Sequence, residues 1–472
     1  MAKQSRSSVI ALAIIIAAGL GLHLIRISYP ARPVFDEAHF ATYAADYVKD
    51  HVFFDIHPPL GKLIYASAIP LALRFENNAP LGDTTFVGYT KSPTGTVYFA
   101  TDIPYGAFPY VPLRLISVFF GLALTVAFYF FLRNIGIGEV GALLGAFFVT
   151  FENAMLLETK LILLNGMYLA FGFAALAIWF EHIHFSKSLP SHSPSSILHA
   201  PILAGFLFAL SLGVKLEGII FIGPVLISLF EGRLRGEDGL RALKKFLFTA
   251  LLVFVAISFL NFLFFSPAQI LAFSKSLGIK FPAPTNIRAT YFLAYAMTTV
   301  VPWTGYLVGG AQLQGSLWYG WPFMRGVMTY YFAPGNAGNL VLQGNPVVWY
   351  SSTLAVFIFI VTLLWRIGHW FIGHSFDIRH LSLDLAKAPL ILFVGYLSAL
   401  APFFTFVHRG AFLYHYFPAY LFAIGLLAYL VSHWLKLDDF HSLSKKQGLY
   451  LTGIITFVVA GFIMTAPLIY GL

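Results

Sequence analysis

The 472-residue sequence predicts an all-α polytopic membrane protein with about eleven transmembrane helices. Three observations predict it. Hydrophobic residues make up 58% of the chain and charged residues only 10%, against about 25% charged in a soluble domain. Apolar runs of about 18 residues or more recur along the whole length, which is what a bilayer crossing requires. Lys and Arg collect in alternate short segments between those runs, the pattern of positive-inside topology. The net charge of +9 is therefore a topology signal rather than a nucleic-acid patch, and no nucleic-acid partner is expected. With no cysteine, disulfides, thiolate metal sites and Cys nucleophiles are excluded.

In chain order the expected spans are roughly 9–28, 111–132, 139–156, 161–181, 200–214, 216–231, 246–265, 346–366, 388–406, 411–432 and 449–470. The first follows Lys3 and Arg6. Without a small-x-small cleavage signal before Pro30, it reads as a retained helix rather than a signal peptide. Several spans are short for a ~20-residue crossing and read as tilted or partly buried. With the N-terminus cytoplasmic, the inner segments hold about fifteen Lys and Arg, among them Arg233, Arg235, Arg241, Lys244 and Lys245. The short outer loops hold only Lys160, Lys215 and Arg409. Two long segments, 29–110 and 266–345, then face outward. Their apolar stretches, 60–73 and 289–308, are broken by Pro70 and by Pro302 with Gly305. Both read as juxtamembrane or re-entrant pieces. This divides the chain into an N-terminal module, 1–265, a second outer loop, 266–345, and a C-terminal four-helix region, 346–472.

The chemistry concentrates in the first outer segment. From Pro33 the residues Phe35, Phe40, Tyr43 and Tyr47 form an apolar stripe, with Asp36, His39, Asp46 and Asp50 on a more polar side. That is an amphipathic helix on the membrane surface. Asp36 and Glu37 are adjacent, so on a helix they point about 100° apart, and at most one aims at a reaction centre. A solvated carboxylate pair at a helix N-terminus is the competing reading. In His57-Pro-Pro-Leu-Gly-Lys62 the prolines impose extended backbone and then a helix start. Lys62 and His57 would lie near the headgroups, as functional groups or by ordinary snorkelling. Lys215 and Glu217, in the turn 213–218, and Glu158 with Lys160 are ionisable groups at the membrane edge. They read either as a locally paired turn or as functional residues.

Asp36-Glu37 with His39, and His57 to Lys62, resemble the protein O-mannosyltransferases. Further matches follow in order: Arg114 at a span start, Leu161-Ile-Leu-Leu-Asn165, Trp318-Tyr-Gly-Trp321-Pro, Gly344-Asn-Pro-Val-Val-Trp349, and Arg409 with Phe412-Leu-Tyr414-His415-Tyr-Phe-Pro-Ala419. The resemblance implies a GT-C-type glycosyltransferase fold with juxtamembrane helices in the first outer loop. It implies a multi-pass protein of a prokaryotic plasma membrane with an extracytoplasmic active site. The donor it implies is polyprenyl-phosphate mannose, and the acceptor a Ser or Thr hydroxyl of a secreted or membrane protein. Asp36 would be the catalytic base, with Glu37 in support. Arg409, Lys62 and Arg114 would bind the donor phosphate, and His39, His57, Tyr414, His415 and Trp321 the substrates. The 266–345 segment is too short for the β-trefoil insert of larger members, so the likeness is to small bacterial-type members. The polar residues expected before the Trp-Pro stretch are replaced by Gln312, Gln314 and Ser316.

A phosphate leaving group needs no protonation, so one base suffices where a glycosidase uses two carboxylates. Charge developing on the phosphate calls for preplaced cations. A divalent cation beside Asp36 and Glu37 is compatible with the sequence, but no metal site or cofactor is predicted, and oligomeric state is unread. Two rivals are a lipid or cell-wall glycan acceptor for the same donor, and a non-enzymatic transporter. The transporter would leave the acidic pair and the cations outside the bilayer unexplained, since transporter sites lie near the midplane. Gly136-x-Gly-x-x-Gly141 lies in a tight loop with no preceding strand, which excludes a dinucleotide fingerprint.

Overall fold

The computed structural model describes residues 6–75, 80–92, 95–101, 103–185, 194–229, 237–300, 315–336, 338–373, 387–405, 411–437 and 443–472. Among them, eight helices are long and apolar enough to cross a membrane. They are Arg6–Leu24, Tyr110–Asn134, Asn165–Ile183, Asp238–Leu263, Pro346–Gly368, Ala388–Thr405, Leu413–Leu435 and Lys445–Tyr470. The chain is a multi-pass membrane protein. The three other expected spans correspond to shorter apolar helices, Glu139–Thr150, His199–Val214 and Leu216–Ser228. Their 12 to 16 residues fall below the ~20 of a full straight crossing.

Aromatic rings and small residues hold the helices together. Phe173 meets Phe128, Phe221 and Phe422 edge-on or tilted, with centroids 5.2 Å apart in each case. Gly172 permits this crowding, since a Cβ there would lie 1.9 Å from the Phe221 ring. Glycine at a crossing lets helices approach where lipid offers no hydrophobic drive.

The segments between spans are more structured than the sequence reading expected. The helix Glu37–Val48 packs on the helix Leu60–Phe75. The latter contains Pro70 and is not among the eight spanning helices. Tyr65 fastens it, its hydroxyl lying 2.7 Å from both Ser117 Oγ and the Leu163 carbonyl. Of 289–308, the described part is the helix Ile287–Tyr295 and a π-turn, Ala296–Val300. Two antiparallel hairpins add strands to an otherwise helical chain: Val87–Ser92 with Gly95–Ala100, and Met328–Tyr331 with Leu340–Leu342.

One junction ties the second hairpin to the helices. Glu152 accepts from the Met155 amide at 2.7 Å, capping the short helix Asn153–Glu158, and from the Asn345 amide at 2.8 Å. Asn345 donates to the Phe151 and Val458 carbonyls, both at 2.9 Å. Its Oδ1 accepts from Val347 at 3.0 Å at the start of the helix Pro346–Gly373. A buried amide with this many partners is costly to replace, because its partners would be left unsatisfied.

Candidate active site

The adjacent carboxylates diverge, as helical geometry requires. Glu37 points inward and is fully buried. Arg114 Nε and Nη2 donate to its two oxygens, each at 2.8 Å. The Val34 and Ile162 amides donate to the same group at 3.2 and 3.0 Å, and Arg114 Nη1 donates to the Ile27 carbonyl at 2.9 Å. This bidentate pair binds the segment 29–110 to the helix Tyr110–Asn134 and to the Leu161–Asn165 stretch. Buried ions persist only with such complete pairing.

Asp36 points the other way. It lines a small cavity with Phe35, Phe40, His57, Glu158, Asn165, Lys215 and Tyr414, closed by Leu163 and Leu164. It is the N-cap residue of its helix yet takes no cap hydrogen bond. Burial raises its carboxyl above the ordinary value, opposed by His39 and Lys215. A carboxylate raised in this way is a better proton acceptor than a free one. Its predecessor, Phe35, holds a left-handed backbone with φ of 50°. For a bulky residue this is a genuine outlier, costing about 1–3 kcal/mol.

The cavity's cation is Lys215. Its ammonium lies 3.0 Å from Asn165 Oδ1, 3.1 Å from Glu217 Oε2 and 5.0 Å from the Tyr414 ring centroid. Glu217 in turn meets His415 Nδ1 at 2.6 Å. On the other side Asn165 Nδ2 donates to Glu158 at 2.7 Å, and Tyr330 donates to the second Glu158 oxygen. Burial lifts the Glu158 carboxyl to about 7, against those two hydrogen bonds. A continuous chain of contacts therefore runs Tyr330, Glu158, Asn165, Lys215, Glu217, His415.

The cations expected at the phosphate are deployed differently. Arg114 is fully engaged by Glu37. Lys62 donates to Asp55 at 2.5 Å and to the His57 carbonyl at 2.6 Å, with only 2% of its surface exposed. Burial alone would raise Asp55, but the Lys62 ammonium, by charge and hydrogen bond, brings its carboxyl below the ordinary value. Burial pushes His57 down to about 3, so its imidazole is neutral. Neither Arg114 nor Lys62 lines the cavity. Each neutralises a buried carboxylate, Arg114 that of Glu37 and Lys62 that of Asp55. Glu37 is likewise held by Arg114 and does not line the cavity.

Of the other expected residues, His57 and Tyr414 line the cavity, and His415 braces it through Glu217. His39 lies one turn along the helix, 3.5 Å from the Tyr43 hydroxyl, and is not a lining residue. Trp321 is buried away from the cavity. Its indole N–H donates to Ser316 at 2.9 Å and its carbonyl accepts from Trp349 at 3.1 Å, so it is a packing residue. Arg409 lies outside the described residues, as do Arg233, Arg235, Gln312 and Gln314. Among the described residues no group of three His, Cys, Asp or Glu is placed to hold a metal.

The arrangement therefore places a carboxyl group and an ammonium in the lining of one aromatic-lined cavity. The family model described as dolichyl-phosphate-mannose-protein mannosyltransferase matches residues 13–274. The chain belongs to this family of protein O-mannosyltransferases. A second model, the C-terminal four TMM region of protein-O-mannosyltransferase, matches residues 307–472. Protein O-mannosyltransferase 1 of Drosophila pseudoobscura pseudoobscura is 32% identical over 144 residues, which is 30% of this chain and 14% of that protein. Dolichyl-phosphate-mannose–protein mannosyltransferase 1 of Saccharomyces cerevisiae is 29% identical over 184 residues, 39% of this chain and 20% of that one. The aligned stretches thus span a fifth or less of these relatives' length.

In fold, this O-mannosyltransferase chain is similar to a chain of the S. cerevisiae protein O-mannosyltransferase Pmt1-Pmt2 complex bound to the sugar donor. The TM-score is 0.78 at 16% identity, covering 99% of this chain and 90% of that one. It is also similar to the Archaeoglobus fulgidus oligosaccharyltransferase, with a TM-score of 0.57 at 13% identity over 98% of this chain and 56% of that one. The architecture is of the GT-C type.

Proposed function

We propose that this protein transfers mannose from a polyprenyl-phosphate donor to Ser or Thr hydroxyls of secreted or membrane proteins. The reaction would occur at the extracytoplasmic face of a prokaryotic plasma membrane, with the N-terminus cytoplasmic. The observation that carries this reading is that Asp36 and Lys215 share one cavity. The names of the similar proteins supply the donor and acceptor classes.

In this reading Asp36 accepts the proton of the attacking hydroxyl as its oxygen bonds to the anomeric carbon. The bond from that carbon to the phosphate oxygen breaks at the opposite face, so the single displacement inverts the centre. The phosphate leaves as an anion, and Lys215 stabilises its growing charge. Asn165 and Glu217 orient the ammonium. Glu158 is a second carboxyl beside Asp36, and with its two oxygens engaged by Asn165 and Tyr330 it positions Asn165 rather than serving as base.

Membranes containing the wild-type chain, given radiolabelled polyprenyl-phosphate mannose and a Ser/Thr-rich peptide, should label the peptide. Asp36→Asn should abolish labelling while the protein still accumulates. Label in a lipid or glycan fraction instead of peptide would replace the acceptor. Wild-type turnover by Asp36→Asn would remove Asp36 from the chemistry.

A further inference from the structure

Phe35 sits at a junction of three segments. Its ring stacks on Tyr330 of the second hairpin, with centroids 4.4 Å apart and planes 14° from parallel. Phe412 and Tyr414, from the stretch before the helix Phe417–Leu435, meet it edge-to-face at 5.4 and 5.8 Å. The same ring lines the cavity beside Asp36. It gets there through a left-handed backbone, a conformation that glycine adopts freely and phenylalanine does not. An unfavourable conformation at a bulky residue persists only where the surroundings over-determine it, and such residues cluster at ligand sites.

What the ring gains there is not burial, since Phe35 remains partly exposed. The cavity it lines is otherwise walled by the apolar or aromatic Phe40, His57, Tyr414, Leu163 and Leu164 and by the polar Asp36, Glu158, Asn165 and Lys215. A pocket that combines aromatic and aliphatic walls with convergent carboxyl, amide and ammonium groups suits a ligand that has an apolar face and a polar rim. A hexose has both: C–H bonds across one face of the ring, hydroxyls around its edge. The electron-rich face of an aromatic ring attracts the slightly positive C–H hydrogens.

Resting on the function proposed above, we infer that Phe35, braced by Tyr330, is a specificity-determining residue that recognises the hexose of the donor rather than its lipid or phosphate. The ring orients the sugar so that its anomeric carbon faces Asp36. Lys215 takes the phosphate independently. Recognition of the sugar and of the charge is thus divided between two walls of the cavity.

The test compares binding of two probes to the purified, full-length protein in nanodiscs: a short-chain polyprenyl-phosphate mannose, and the same polyprenyl phosphate without sugar. Phe35→Gly removes the ring and relieves the backbone, so folding is preserved, and a thermal unfolding scan checks this. Phe35→Tyr retains the ring. The expected result for Phe35→Gly is roughly five- to tenfold weaker binding of the mannosyl lipid, the weight of one aromatic contact, with the sugarless lipid unchanged. Phe35→Tyr should bind both like the wild type. Equal loss for both probes, or loss for neither, overturns the inference. A wild-type protein that does not prefer the mannosyl lipid to the sugarless one would instead overturn the functional reading itself.

Discussion

Arg114 and Glu37 meet through two parallel hydrogen bonds of 2.8 Å, and neither side chain has any exposed surface. The pair is the fastening point of the segment 29–110, because Glu37 also accepts from two backbone amides on different segments. Removing one member leaves an uncompensated buried charge, worth about 3–5 kcal/mol. Glu37→Gln and Arg114→Ala should therefore lower thermal stability and accumulation in membranes. Arg114→Lys should recover only part, since an ammonium lacks the planar fork. A stable Arg114→Ala protein that loses only donor affinity would return Arg114 to the phosphate.

Lys215 and Lys62 should separate cleanly. Lys215→Ala removes the cavity's cation and should reduce kcat/KM about 10²–10³-fold, the usual weight of one transition-state electrostatic contact, with a smaller loss of unfolding temperature than Lys62→Ala, since its partner Glu217 is 22% exposed and keeps His415. Lys62→Ala strands the buried Asp55 carboxylate and should act mainly on stability. Steady-state kinetics beside a thermal scan decides. The reverse pattern would identify Lys62 as the phosphate ligand.

The acid limb of the rate profile should lie above the ordinary aspartate range. Burial raises Asp36, and only its ionised form accepts a proton. Activity is therefore present above the raised value and lost as pH falls through it, at a higher pH than the ~3.9 of a free aspartate. Lys215 opposes the rise, so Lys215→Met should move the limb further up. Its residual kcat/KM against pH measures this, and an unmoved limb would uncouple the two residues.

Glu158 predicts a pH dependence of stability. Its folded value, raised to about 7 from 4.5, means that the folded state holds a proton the unfolded state has released. That stabilisation is complete below about 4.5 and is lost as pH rises towards 7, levelling beyond it. The unfolding temperature in detergent should fall between pH 5 and pH 7.5, and Glu158→Gln should flatten the fall. An equal slope in both proteins would assign the dependence to other groups.

Much of this was legible in the residues themselves. Hydropathy and Lys/Arg placement identify a multi-pass protein because lipid acts on composition alone. The adjacency of Asp36 and Glu37 already required that their roles diverge. Which cations would be free could not be read, because freedom depends on partners distant in sequence. Glu37 and Arg114 are 77 residues apart, and no spacing rule links them. Asp55, which occupies Lys62, carried no signal beyond its place before His57. Lys215 and Glu217 were visible as ionisable groups in a short turn. Only the fold brings that turn to Asn165, 50 residues away, and makes it a wall of the cavity.

Asn165 donates to Glu158 through its amide nitrogen and accepts from Lys215 through its amide oxygen. An amide can do both at once and titrates in neither direction. It thus acts as an insulator: the acid on one side and the ammonium on the other are mechanically linked but exchange no proton. Had the two met directly, Lys215 would face a second carboxyl besides Glu217 and attract an incoming anion less. An aspartate in that place would compete with the anion for the same ammonium, so the neutrality of one side chain keeps the cation available.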